Sequence, residues 1–134
     1  MRKLFKKVRP LIVPVAVSLT VIILFHTVFM LGYVPTGSME PTLKTGSLIL
    51  ALRPYGELEK GDIIIFKYGD SYLVKRIAAV EGDVVEHNGE SKTVPESCFY
   101  VLGDNSEHSH DSRYWEDPFV SADDVMAKVI LPIP

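Results

Sequence analysis

The chain has 134 residues, 47% hydrophobic and 23% charged, with nine glycines, nine prolines and one cysteine. That balance fits one modest globular domain and excludes collagenous, disulfide-framework and disordered classes. The net charge of -3 is laid out unevenly: residues 1–39 hold five basic and no acidic side chains, whereas residues 40–134 hold nine basic against 17 acidic, a net of -8, which excludes a nucleic-acid-binding body.

From the N-terminus, Arg2, Lys3, Lys6, Lys7 and Arg9 precede a stretch that holds no Lys, Arg, Asp or Glu until Glu40. Leu11 to Leu31 is dominated by Val, Ile, Leu, Phe and Met. As a helix these positions reach about 31 Å, close to the roughly 30 Å of bilayer hydrocarbon. The sequence therefore predicts a basic segment over residues 1–9, a transmembrane anchor over 10–32, and a domain over 33–134. The positive-inside rule keeps the N-terminus cytoplasmic and places the domain across the membrane. A cleaved signal peptide has a similar basic start, but it ends in a small-x-small site, and Leu31-Gly32-Tyr33-Val34-Pro35 is no such site. His26, near the outer end of the span, is expected to be tolerated or to contact a partner helix.

Beyond the anchor, short apolar runs alternate with glycine turns, and no 3.6-residue period lasts long enough for a substantial helix. The domain is predicted to be mainly β. Expected strands are Ser47 to Leu52, Ile63 to Tyr68, Ser71 to Val80, a strand opened by Gly82-Asp83, Cys98 to Leu102, and Val125 to Leu131. Gly69-Asp70 and Asn88-Gly89 are expected hairpin turns. Cys98 has no mate and sits in an apolar stretch, so it is expected to be packed rather than reactive. Tyr33, Tyr114, Trp115 and Phe119 are candidates for contact with the headgroup layer, the alternative being ordinary packing.

Three segments carry side chains suited to chemistry. In Pro35-Thr36-Gly37-Ser38-Met39-Glu40-Pro41, two prolines fix the flanks and Gly37 permits close approach. The Ser38 amide and the Thr36 hydroxyl are placed to face a developing oxyanion; taken alone, the segment also reads as a linker. In the strand Tyr72 to Val80, alternation puts Lys75 on one face with Leu73, Ile77 and Ala79, and Arg76 on the other. A lysine buried among such groups loses its proton more easily, and so becomes a possible base for a serine; a strand-edge lysine that reaches water is the other reading. Gly103 to Trp115 is too polar for a core. His108-x-His110 with Asp104, Glu107 and Asp111 suggests a divalent metal, but no third histidine or helical ligand spacing supports one. The alternative is a supporting loop, in which Ser109 orients the lysine amine while Asp111 and Arg113 form a bracing ion pair.

Taken in order, Ser38-Met39-Glu40-Pro41-Thr42-Leu43, Gly61-Asp62-Ile63-Ile64-Ile65-Phe66, Lys75-Arg76 through Gly82-Asp83, and Gly103-Asp104-Asn105 through Ser109-x-Asp111-Ser112-Arg113 resemble the sequence boxes of type I signal peptidases. The resemblance implies a compact, mainly β catalytic domain behind one transmembrane helix, which removes signal peptides from exported preproteins after small residues, without metal or organic cofactor. By motif-to-motif correspondence it makes Ser38 the nucleophile and Lys75 the general base. Ser109 positions the lysine, and the Ser38 amide with the Thr36 hydroxyl forms the oxyanion hole. Arg76, Asp104, Asp111 and Arg113 become structural support. Val34, Pro35, Met39, Leu43, Leu73 and Val74 match positions lining substrate pockets that accept alanine-sized side chains, with the substrate pairing as an added strand.

Two features depart from the family pattern. Glu40 stands where an apolar residue is common, and only 19 residues separate Gly82-Asp83 from Gly103-Asp104, so the large β insertion of some Gram-negative members is missing. Lysine in place of the histidine of the endoplasmic-reticulum type points to the cytoplasmic membrane of a bacterium, with the mitochondrial inner-membrane peptidases as a lesser alternative. The implied partners are preproteins and the lipid bilayer. A self-cleaving repressor-type peptidase also uses a serine/lysine pair, but the anchor and the Asp104 to Arg113 loop speak against it. A non-catalytic tethered binding module is the remaining alternative.

Overall fold

A computed structural model describes the backbone of residues 2–133. One helix, α1, spans Arg2–Val28, followed by strands β1 (Phe29–Tyr33), β2 (Leu48–Leu52), β3 (Ile63–Tyr68), β4 (Ser71–Val80), β5 (Val84–His87), β6 (Glu90–Thr93), β7 (Cys98–Leu102), β8 (Phe119–Ser121) and β9 (Val125–Ile133). The mainly β expectation holds.

Within α1, Arg9–Val28 is a 20-residue apolar span with mean hydropathy 2.4 and none of it buried against the rest of the chain. Leu11 to Phe25 leave their apolar side chains open, most of them more than half exposed. A helix of a water-soluble domain buries such a stripe; one apolar all round suits lipid. The sequence expectation carried the anchor to residue 32, but the helix stops at Val28 and Phe29–Tyr33 pairs antiparallel with β2, from Phe29↔Leu52 to Tyr33↔Leu48. Apolar content alone does not separate a membrane helix from a strand at the edge of a sheet. The pairing partner decides, and Gly32 lets it come close: a Cβ there would lie 2.9 Å from Ile49 Cγ1.

Seven strands form one sheet in the order β1-β2-β9-β3-β4-β7-β8, and β5 pairs with β6 as a separate hairpin. Asn88 and Gly89 join β5 to β6 with φ of 54° and 78°, the left-handed pair that a two-residue hairpin turn requires. Period-two alternation sends neighbours of β3 into different clusters. Ile65 packs with Val34, Met39, Leu43, Ile49, Ala51 and Ala127, whereas Ile64 and Phe66 pack with Ile77, Val101, Trp115, Val120 and Val125. Each fully buried side chain of this kind contributes about 1.5–3 kcal/mol. Trp115 belongs here rather than at a membrane surface: it is 3% exposed and its ring stacks 4.3 Å from that of Tyr68. Phe119 is half-buried in β8, while Tyr33 and Tyr114 are open to the surroundings.

Candidate active site

A 3-10 turn at Gly37–Met39 carries Ser38, and β4 carries Lys75. Val34 fastens the segment before the turn to the loop ahead of β2, its amide donating to the Ser47 carbonyl at 3.0 Å and its carbonyl accepting from Gly46 at 2.8 Å. From the other side Asn105 holds the turn itself. Its amide donates to the Ser38 carbonyl at 3.0 Å and its side-chain nitrogen to the Gly37 carbonyl at 3.1 Å.

Across this turn, Lys75 Nζ lies 2.7 Å from Ser38 Oγ. Both residues are buried, Lys75 to 4% exposure. Cross-strand register sets Lys75 opposite the fully buried Ile64. Among the described residues the amine has no other hydrogen-bond partner and no ion pair. Burial pushes the Lys75 amine below its ordinary value; Asp111 pulls it back up and Arg113 pushes it down again. A dry amine with a net downward shift is the condition under which lysine accepts a proton near neutral pH.

Asp111 is fully buried. Burial works against its charge, but hydrogen bonds from Arg113, the Gly103 amide and Ser109 outweigh that and bring its carboxyl down to about 2. Arg113 engages it with a fork, Nε to Oδ1 and Nη2 to Oδ2 at 2.8 Å each. Ser109 Oγ donates to Asp111 Oδ2 at 2.7 Å. The sequence expectation had Ser109 orienting the lysine amine; the hydroxyl instead serves the carboxylate, because that charged acceptor is the stronger one within reach. Gly103, named from the sequence only as part of its motif, is the tight point of the loop. A Cβ there would lie 2.5 Å from both Ser109 Cβ and the Ser38 carbonyl oxygen.

Arg76 and Asp104 form a second forked pair at 2.8 and 2.7 Å, and Arg76 Nη1 also donates to the Gly61 carbonyl at 2.6 Å. These bonds tie β4 to the Gly61 turn and to the loop after β7. Glu40, the departure noted above, accepts from both the amide and the hydroxyl of Thr45 at 3.1 and 2.8 Å. Those bonds hold its carboxyl below the ordinary range. His110 stacks on Tyr114, Asp104 and Asp111 are taken by guanidinium groups, and among the described residues no three His, Cys, Asp or Glu side chains converge.

A cavity of about 310 Å³ opens beside Ser38 and Lys75. Of the expected pocket residues, Val34, Pro35, Met39, Leu73 and Val74 line it, together with Thr36. Leu43 does not: it is 1% exposed and packs in the cluster behind Met39. Met30, Gly32, Tyr33, Ile49, Ile65 and Tyr72 complete the wall. Thr36 is exposed, and among the described residues its side chain makes no capping bond to the 3-10 turn.

The family model described as signal peptidase, peptidase S26, matches residues 6–91 and 88–133. The chain belongs to this family. Signal peptidase I of Pseudomonas aeruginosa is 22% identical, with 67% of this chain and 56% of that protein aligned. Signal peptidase IB of Staphylococcus aureus is 26% identical over 92% of this chain and 88% of its own length. Mitochondrial inner membrane protease subunit 1 of Mus musculus is 32% identical over 58% of this chain and 54% of its own length. The chain thus spans about half the length of the Pseudomonas and mouse relatives. All the site side chains described above lie inside the residues matched by the peptidase S26 model.

Proposed function

We propose that the chain is a membrane-anchored serine endopeptidase that cleaves signal peptides from exported preproteins after small residues, through a Ser38/Lys75 dyad and an acyl-enzyme intermediate. The observation that carries this reading is the 2.7 Å approach of a buried, otherwise unpartnered Lys75 amine to the Ser38 hydroxyl.

In the first step the neutral amine accepts the Ser38 proton as Oγ attacks the scissile carbonyl. Negative charge moves to the carbonyl oxygen. In a 3-10 turn the leading N–H groups have no partner inside the turn, so the Ser38 amide is available to that oxygen, and the Thr36 hydroxyl is a second donor. The tetrahedral species collapses as the C–N bond breaks and Lys75 passes its proton to the leaving amine. A water then attacks the ester, gives its proton to Lys75, and the proton returns to Ser38 as the new carboxyl end departs. Side chains and backbone suffice for each transfer.

Substrate placement follows from unused sheet edges. Among the described residues β1 pairs only with β2, and β7 covers β4 only from Arg76 onward. Tyr33 at the end of β1 and Tyr72 to Lys75 of β4 line the same cavity, so an extended peptide between them finds backbone partners on both sides. Val34, Met39, Ile49, Ile65 and Val74 give its side-chain pockets apolar walls, which favour small residues before the cut. The anchor, with its N-terminus in the cytoplasm, holds this slot on the outer face of a bacterial cytoplasmic membrane, where signal peptides are presented at high effective concentration.

The test is cleavage of a labelled preprotein by the full chain in detergent, with the new N-terminus mapped. Cleavage after a small residue that vanishes in both Ser38→Ala and Lys75→Ala supports the dyad. Turnover retained in either folded variant refutes it.

A further inference from the structure

The proposed mechanism makes no use of a cavity that carries an arginine at the foot of the helix. It measures about 400 Å³ and opens where α1 gives way to β1, lined by Phe25, His26, Phe29, Met30, Leu31 and Arg53. Val28 ends both the helix and the apolar span. With α1 across a bilayer, the cavity therefore sits where hydrocarbon meets headgroups.

Its walls are of two kinds. The Phe25 and Phe29 rings are 5.1 Å apart, and Phe25 and Leu31 are 54% and 60% exposed, which makes an open apolar surface. Against it stands Arg53. Its amide donates to the Val28 carbonyl at 2.8 Å and its Nε to the Phe29 carbonyl at 3.4 Å, so the residue is fixed to the end of the helix. Among the described residues its two Nη groups have no hydrogen-bond partner. The four ion pairs there use Lys60, Arg76, Arg113 and Lys128, and no carboxylate lines the cavity. An unpaired guanidinium fork beside an apolar wall, at the headgroup level, matches an anion whose own body is apolar. A phosphodiester offers two oxygens to the fork, and the acyl chains below it suit Phe25 and Leu31.

We propose that this cavity binds the phosphodiester headgroup of a membrane phospholipid, with Arg53 on the phosphate and His26 as a second polar contact. The inference rests on the reading of α1 as a membrane span. Met30 lines both this cavity and the one beside Ser38, so a headgroup held here fixes the height of the substrate slot above the hydrocarbon.

The experiment uses the full chain in detergent and measures phosphatidylglycerol retained in native mass spectrometry, with added inorganic phosphate as competitor. The wild type retains the lipid, and equimolar phosphate does not displace it. Arg53→Gln weakens retention about tenfold, while Lys67→Gln, which removes an exposed cation elsewhere, leaves it unchanged. Equal retention by wild type and Arg53→Gln overturns the site, as does displacement by phosphate at equal concentration. If Arg53→Gln melts early, Arg53→Lys carries the comparison: it keeps the charge and loses the fork, so weakened retention supports the site and wild-type retention overturns it. Flotation with phosphatidylcholine vesicles separates the two readings. A wild-type chain that does not float refutes the span, and one that floats without retaining phosphatidylglycerol refutes the headgroup site alone.

Discussion

Lys75 and Arg76 are consecutive residues of β4, and the two sides of the strand treat their charges in opposite ways. Arg76 has a forked carboxylate partner in Asp104, and the bonds to it raise the guanidinium above its ordinary value. Lys75 has an apolar surround and a hydroxyl, and burial lowers it. The difference separates a cation that braces the site from an amine able to take part in chemistry. A paired guanidinium stays charged under all ordinary conditions, whereas a desolvated amine is poised to change state.

The largest effects are expected from changes that erase this contrast. Lys75→Arg keeps positive charge but cannot give up its proton, so kcat on a preprotein should fall on the order of 10⁴-fold, as in Lys75→Ala, with the fold retained in circular dichroism. Gly103→Ala comes next. Its methyl group meets the Ser38 carbonyl and Ser109, and we expect about a 10²-fold loss of kcat, since a displacement of about 1 Å costs that much.

Asp111→Asn sharpens the comparison through pH. Asp111 raises the Lys75 amine and Arg113 lowers it, so removing the carboxylate charge leaves two downward influences, burial and Arg113. With Lys75 as the proposed base, the acid limb of the pH–rate profile, on which its amine is protonated, should therefore move to lower pH. Stability has its own sign. The folded carboxyl, down to about 2, lies below its ordinary 3.8. Its contribution of about 2 kcal/mol is present above pH 4 and is lost as pH falls toward 2. Acid titration of wild type and variant by thermal melting reads this window directly.

Smaller effects belong to the supports. Ser109→Ala removes one donor from Asp111 and should cost about 1 kcal/mol in melting with a loss of activity of about tenfold; a 10³-fold loss at unchanged stability would instead place its hydroxyl on the amine during catalysis. Arg76→Gln, losing a partly buried pair, should cost about 1 kcal/mol and change kcat only severalfold.

How far the sequence revealed these features depended on the range of the interaction. Strand alternation was enough to place Lys75 among apolar neighbours, because side-chain direction in a strand is a local property. The turn at Ser38 was legible from its prolines and glycine. The end of the anchor was not, since Phe29–Tyr33 is as apolar as the helix and becomes a strand only because β2 is there to pair with it. Likewise Ser109 was matched to the lysine by its motif, while its actual acceptor depends on how the loop folds around Asp111. Leu43 and Trp115 share that history. Whether an apolar side chain lines a cavity, faces lipid or fills a core is decided by tertiary contacts that composition does not encode. Asn105, which holds the Gly37 and Ser38 carbonyls, left no local signal beyond its place in the motif.

The most direct measurement is the protonation state of the Lys75 nitrogen itself, followed by selective ¹⁵N labelling of lysine and NMR titration of the full chain in micelles, with Lys75→Ala identifying the resonance. A single lysine signal that changes state below the ordinary lysine value of 10.5, and is absent from the variant, is the predicted result. A Lys75 nitrogen that titrates together with the exposed lysines would contradict the account.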